Sequence, residues 1–460
     1  MTETAQAEKL TPKTKVLYGV ADLGAAMLTS SINFFLLFFY TDVLHIDPGL
    51  AGMALLTGKL TWDAINDPLM GYLSDRTRTR IGRRRPYMLA GAIPLGLATW
   101  LLYSIPGELR GVVAFLAIVG SFLLFDTMYT LIHVPYVSLT PELTHDYQER
   151  TALTTVRMIF SSLGYILGAA ATTAIAGWFQ GLGWTEKASY SGVGAVFGAI
   201  ATAVVLTTAL SIRERKTEVE PSTMPPVRAL LQSFRNKNFV RLVVAYLFNS
   251  VAFALLTSLL PYLLTYQMDM SQQIPVIMLS MLLMITAFLY FYKWLSEKIN
   301  KGPAYALGLG LACVAVAITF FLPQGPSPAI YVIAAVAGMG FSANFVCPWS
   351  MLPDVIEYDE LETGERREGV YYGMWAFCAK LADALGIAIS GWSLSLFGYV
   401  PDVAQTPTAL LGIRLFFGIV PVVLILIGLP LLIWYPITRE SHAKVRAQLG
   451  ARAGLEPAAD

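Results

Sequence analysis

Apolar residues fill this chain in long blocks separated by short polar breaks, and that rhythm dictates its elements. The blocks run at about 16–44, 50–73, 87–105, 111–140, 152–179, 191–212, 239–266, 275–295, 304–322, 329–352, 369–398 and 408–435. A hydrocarbon core about 30 Å thick takes roughly 20 apolar residues as a helix but only about ten as a tilted strand. The blocks have helical length and lack strict apolar–polar alternation, so the expected fold is an all-α membrane protein with twelve transmembrane helices. An even number of spans puts both termini on one side. The opening residues MTETAQAEKLTPKTK are polar and lead into a long apolar block with no cleavage site, so no removable signal peptide is expected.

Loop charge orients the bundle. The loop after span 2, SDRTRTRIGRRRP, carries Arg76, Arg78, Arg80, Arg83, Arg84 and Arg85; further basic residues follow spans 6 and 8 and occupy the tail, whereas the alternate loops hold only Arg110 and Lys187. By the positive-inside bias both termini are cytoplasmic, in a cell membrane. The longest polar break, 213–238, contains three prolines and separates a bundle at 16–212 from one at 239–435, with tails at 1–15 and 436–460. The halves echo each other: YLSDRTRTRIGRRRP after span 2 matches WLSEKINKGP after span 8, and PYVSLTPELTHDYQER after span 4 matches PWSMLPDVIEYDELETGER after span 10. A parallel duplication of six-helix units follows, the plan of alternating-access transporters.

Composition narrows the function classes. Apolar residues make up 55% of the chain and charged ones 14%, against about 25% charged in soluble domains, which excludes an ordinary soluble enzyme. A net charge of +1 supplies no cationic face for nucleic acid. Cys313, Cys347 and Cys378 lie singly in apolar stretches, without CxxC spacing, and read as small buried residues. No GxSxG or HExxH run supports an intramembrane enzyme, and no cofactor is expected.

The chemistry concentrates in span 2, GKLTWDAINDPLMG. Asp63, Asn66 and Asp67 fall at i, i+3 and i+4, so three oxygen-bearing side chains share one helical face inside a membrane span. Hard oxygens of this kind suit a small cation, or a proton if one carboxylate is held neutral. The alternative is that they pair with Lys59, which lies on the same face, and with bundle arginines.

The runs FFLLFFYTDVL in span 1, WDAINDPLMGYLSD in span 2 and MLPDVIEYDELETGERREGVYYG between spans 10 and 11 resemble the glycoside-pentoside-hexuronide:cation symporter family of the major facilitator superfamily, over nearly the whole chain. The resemblance implies a major facilitator fold of two pseudo-symmetric halves and cation-coupled symport of a sugar or glycoside. It implies that Asp63, Asn66 and Asp67 hold Na⁺, with Li⁺ or H⁺ as alternatives, and that Thr130 in YTLIHVPY of span 4 is a further ligand. Where the family's melibiose carriers have a Lys-Asp pair in span 1 and an aspartate and tryptophan in span 4, this chain has Ala25, Ala26, His133 and Val137. HVPY at 133–136 and QERTALTTVRM at 148–158 are similar instead to the animal sodium-dependent lysophosphatidylcholine symporters, which keeps a lysolipid as the alternative substrate.

Arg157 and Lys380 match basic residues lining the family's central cavity. Each either holds substrate or pairs with an intramembrane acid, Asp22 for the first and Asp383, at i+3, for the second. His133 is a packing residue or a substrate contact. Tyr18, Asp22, Trp349 and Trp375 are further substrate candidates, because sugars stack on aromatic faces; interface anchoring is the plain alternative for the tryptophans. Asp75 among Arg76 and Arg83, with Glu142, Glu149 and Arg150 and their second-half counterparts Asp354, Glu365 and Arg366, forms a candidate cytoplasmic gate. The acid-rich run from Asp354 to Glu368 is expected to pair with the arginine-rich loops. A twelve-helix bundle encloses its own pathway, so the expected assembly is a monomer in the lipid bilayer, with a small-molecule substrate and no nucleic-acid partner.

Overall fold

Proline and short polar residues punctuate the breaks and start the helices. Thr11, Asp47, Thr185, Asn236 and Thr406 each accept a backbone N–H of the first turn that follows, and Pro12, Pro48 and Pro407 occupy the first helical position, where no N–H is needed. The computed structural model describes residues 10–144, 147–212, 214, 234, 236–364 and 368–452. The end of each tail and most of the linker expected at 213–238 lie outside them.

The helices are α1 (Pro12–Ser31), α2 (Pro48–Arg76), α3 (Arg85–Leu102), α4 (Gly111–Ser138), α5 (Tyr147–Gly181), α6 (Glu186–Ser211), α7 (Lys237–Tyr262), α8 (Ile274–Ile299), α9 (Lys301–Phe320), α10 (Ala329–Thr363), α11 (Glu368–Leu396), α12 (Pro407–Ile433) and α13 (Arg439–Arg452). Among the described residues ten are long and apolar enough to cross a membrane. Two others, α2 and α3, have 29 and 18 residues but carry Lys59, Asp63 and Asp67 in one and an arginine start in the other. Apolar side chains such as Val112, Leu116, Tyr290 and Phe321 remain exposed on the helix surfaces, as a lipid-facing surface requires.

The chain forms two compact units. The first comprises residues 1–222 together with Leu394–Ala404, and the second comprises 223–393 and 405–460. In the first, α1 packs on α5 and α6, α3 on α4 and α6, and α2 on α4; in the second, α10 packs on α8 and α9, and α12 on α7 and α9.

Glycine sets how closely these helices approach. A Cβ on Gly164 or Gly168 of α5 would lie 2.2 Å from the carbonyl oxygen of Leu23 or Met27 on α1, so only glycine permits this contact. The same device recurs in the second unit, where a Cβ on Gly338 of α10 would sit 2.3 Å from the Met281 oxygen of α8.

The duplication is visible in backbone detail. The first span ends in the π-helical turn Phe39–Val43 followed by His45 at φ 56°, and the seventh ends in Leu263–Gln267 followed by Asp269 at φ 52°. The hydrogen bonds also match: the Leu44 and Ile46 N–H groups donate to Phe39 and Tyr40, and those of Met268 and Met270 donate to Leu263 and Leu264. Widened turns of this sort recur where helices carry function.

Candidate functional site

Span 2 delivers its polar face to α4. The Thr130 hydroxyl donates to Asp67 Oδ1 at 2.8 Å, and Asn66 Nδ2 donates to Asp126 Oδ2 at 3.2 Å. Asn66, Asp126 and Thr130 are buried and Asp67 is half-buried, so two carboxylates, an amide and a hydroxyl line the α2–α4 contact of the first unit. Trp62 seals one flank by donating its indole N–H to Thr127 at 2.8 Å. Of the sequence candidates, Asn66, Asp67 and Thr130 thus come together. Asp63 sits one turn earlier on α2, with its side chain outside the described part.

Asp126 escaped sequence reasoning although its signal was present. It is a carboxylate inside the apolar run SFLLFDTMYT, one helical turn before Thr130. The carboxylate and hydroxyl oxygens of Asp67, Asp126 and Thr130 are hard donors of the kind that suits a small monovalent cation. Among the described residues no three His, Cys, Asp or Glu side chains gather as a transition-metal site.

One layer away, the substrate candidates of α1 and α5 hold one another. Arg157 Nε donates to Asp22 Oδ2 at 2.6 Å, its NH2 reaches Oδ1 at 3.4 Å, and its NH1 donates to Thr140 at 3.0 Å. Tyr136 donates to the same carboxylate at 2.7 Å, and the Tyr18 hydroxyl donates to the Tyr136 carbonyl at 2.6 Å. The guanidinium lies over the Tyr136 ring, 4.9 Å from its centroid. Of the two readings for Arg157, the pairing one is what the geometry displays. Tyr18, Asp22 and Arg157 form a satisfied buried network joining α1, α4 and α5 in the first unit.

His133 stacks on Tyr129, with centroids 5.1 Å apart, and faces Tyr136 at 6.4 Å. It lines a cavity whose other walls are Ala21 and Ala25 of α1, Leu95 of α3, Tyr129, Ile132 and Tyr136 of α4, and Ala201 and Val205 of α6. Ala25 thus borders apolar space beside the histidine.

The second unit holds the remaining substrate candidates. Trp375 is fully buried, stacked on Tyr246 at 4.0 Å and meeting Trp349 edge-on at 6.0 Å; Trp349 is half exposed, and the buried Trp375 Nε1 has no hydrogen-bond partner. Lys380 and Asp383 are half-buried on α11.

The described gate candidates have partners within their own units. Asp354 takes the Lys301 ammonium at 2.6 Å and His442 at 3.5 Å, and Glu357 takes His442 at 2.7 Å and Arg446 at 3.3 Å. Among the described residues the start of the acid-rich run therefore pairs with α9 and the C-terminal helix α13. The physical reason is proximity: Lys301 opens α9, and α13 packs directly on α10.

In the first unit Arg76 lies 3.9 Å over the Tyr72 ring of its own helix, and Lys15 pairs with Glu149 at 2.9 Å. The backbone N–H groups of Arg83, Arg84 and Arg85 all donate to the Glu214 carboxylate, at 2.6, 2.8 and 2.6 Å. Glu214 thus fills the anion-binding nest at the start of α3, a role the sequence did not disclose. The side chains of Asp75, Glu142 and Arg150 lie outside the described part, and Glu365 and Arg366 lie outside the described residues.

Comparison with known proteins agrees with this architecture. The chain is 32% identical to an uncharacterized symporter of Synechocystis sp., over 98% of this chain and 99% of that protein. It is 28% identical to the sodium-dependent lysophosphatidylcholine symporter 1 of Gallus gallus, over 96% and 90% of the two chains. In fold it is similar to the crystal structures of the peptide transporter POT, with TM-score 0.66, 14% identity and coverage of 92% and 94%, and of the nucleoside transporter NupG, with TM-score 0.64, 13% identity and coverage of 91% and 99%. The family model described as MFS/sugar transport protein matches residues 17–439, and with helices of membrane-crossing length throughout, the chain belongs to that family of multi-pass membrane transporters.

Proposed function

We propose that this protein is a secondary symporter in which a monovalent cation, Na⁺ in preference to Li⁺ or H⁺, binds between α2 and α4 and drives uptake of an amphiphilic solute by alternating access. The observation that carries the cation site is that Asp67 meets Thr130 and Asn66 meets Asp126 where α2 faces α4, with Asn66, Thr130 and Asp126 buried. A cation there would take lone pairs from Thr130 Oγ1, the Asn66 carbonyl oxygen and the two carboxylates, with Asp63 close by on the same helical face. Two aspartates in an apolar interior repel one another, and a positive charge between them removes that cost. Cation occupancy then changes how α2 and α4 pack, and through linkage each ligand raises the affinity of the other by the same factor.

The substrate reading rests on chemistry that is missing from the cavity wall. Sugars need several polar partners, whereas Asp22 and Arg157 are engaged with each other and six of the nine residues lining the cavity at His133 are alanine, leucine, isoleucine or valine, the others being His133, Tyr129 and Tyr136. That supports a solute with an apolar portion and a small polar part at His133 and the tyrosines, in line with the named activity of the animal relatives. A sugar or glycoside is the second reading, supported by the family description. By the loop-charge bias both termini face the cytoplasm of a cell-membrane protein.

The deciding experiment is thermal stabilisation of the purified protein by NaCl against choline chloride, with Asp67→Asn and Asp126→Asn alongside. Stabilisation in wild type that both variants lose is the expected result. No response of wild type to Na⁺ removes sodium coupling.

A further inference from the structure

The segment Leu394–Ala404 leaves α11 and leads into α12, both otherwise in the second unit, yet it groups with the first unit. Its central side chain, Tyr399, is buried, and its hydroxyl donates to Asp42 Oδ1 at 2.5 Å. Asp42 is buried at the end of the first span, where its other oxygen accepts the Thr41 hydroxyl at 2.6 Å. Around this anchor lie two contacts between exposed side chains. His45 Nε2 meets Asp402 Oδ2 at 2.8 Å with both side chains about half exposed, and Ser395 reaches Asp47 at 3.4 Å. His45 and Asp402 both hold left-handed backbone, at φ 56° and 58°, which is unfavourable for residues with side chains. Gly49 completes the seat, since a Cβ there would stand 3.2 Å from Ser395 Cβ.

We propose that Leu394–Ala404 is a releasable clasp that closes the end of the first unit remote from the N terminus and lets go when the pathway opens on that side. The inference rests on the alternating-access reading above. The design suits release: a buried, charge-assisted bond from Tyr399 to Asp42 gives the closed state specificity, while the His45–Asp402 pair is exposed enough to hydrate readily. Once Tyr399 withdraws, the Asp42 carboxylate must be wetted, so undocking and entry of water at that end are a single event.

The test uses Gly49→Cys with Ser395→Cys, whose Cβ atoms would stand near the separation that a disulfide spans. The native cysteines are buried in the second unit and do not compete. Mild oxidation is expected to join the pair, and the joined protein in liposomes is expected to lose uptake of lysophosphatidylcholine until dithiothreitol restores it. A joined protein that transports as fast as the reduced one overturns the clasp and leaves symport standing. A pair that never joins overturns the docking itself.

If wild type moves no lysophosphatidylcholine, that substrate reading falls and the clasp is judged without it. Leu394→Cys, buried at the start of the segment, is then labelled in membranes with an impermeant maleimide. Adding Tyr399→Phe is expected to speed labelling about tenfold or more, the shift produced by losing one hydrogen bond to a charged group. Equal rates overturn the proposal.

Discussion

Asp22 and Arg157 illustrate how one residue pair is held. Both are over nine-tenths buried, and every polar atom of the pair faces a partner in α1, α4, α5 or the turn at Thr140. Removing one charge strands the other, a loss of about 3–5 kcal/mol in buried pairs, whereas removing both together costs much less. Asp22→Asn and Arg157→Met are therefore each expected to lower the melting temperature sharply, and the double variant to recover much of the loss in the same detergent. Additive losses would mean that the two residues act separately. At the cation cluster, Thr130→Val removes an oxygen without changing size and is expected to weaken Na⁺ stabilisation about tenfold in concentration, while Thr130→Ser retains it. Titration of the thermal shift with NaCl separates the two variants.

Elements meet where glycine lets them. The close approach of α1 to α5 at Gly164 and Gly168 positions Asp22 against Arg157, so Gly168→Val is expected to push the helices apart at a cost of several kcal/mol. Loss of the folded peak in size-exclusion chromatography, with Gly177→Val as a neutral control in open space, measures this. A milder effect belongs to α13, which His442 and Arg446 tie to Glu357. Glu357→Gln is expected to speed amide exchange in α13 and leave α10 unchanged, as read by hydrogen-exchange mass spectrometry.

The sequence discloses these elements unevenly. Intramembrane carboxylates in WDAINDP announced themselves because charge in an apolar helix is costly, and the apolar blocks fixed the helices because the bilayer sets their length. Asp126 carries the same signal in α4 but stands alone in its apolar run, without neighbouring carboxylates to mark a shared face. The pairing of Asp354 with Lys301 and His442, and of Tyr399 with Asp42, depends on which distant elements become neighbours, and charge patterning along one strand of text does not encode that. The π-helical turns left no trace in the apolar pattern because one extra residue per turn barely moves it.

For the whole molecule, the arrangement predicts a substrate with an apolar portion moved by a cation gradient. In liposomes an inward Na⁺ gradient is expected to drive uptake of lysophosphatidylcholine above that of a galactoside, and replacing Na⁺ by choline is expected to abolish it. Preferential galactoside uptake would return the solute to the sugar class named by the family.

The seat of Tyr399 also bears on how the protein is made. Ribosomes deliver the first six spans long before residues 394–404 exist, so Asp42 enters the bilayer without the phenol that later covers it. Until synthesis is nearly complete, that end of the first unit has to keep its carboxylate at the water boundary or hand it to another donor. Chains truncated after α11 are therefore expected to leave a folded but uncapped first half, a form that quality-control proteases could recognise by its open end.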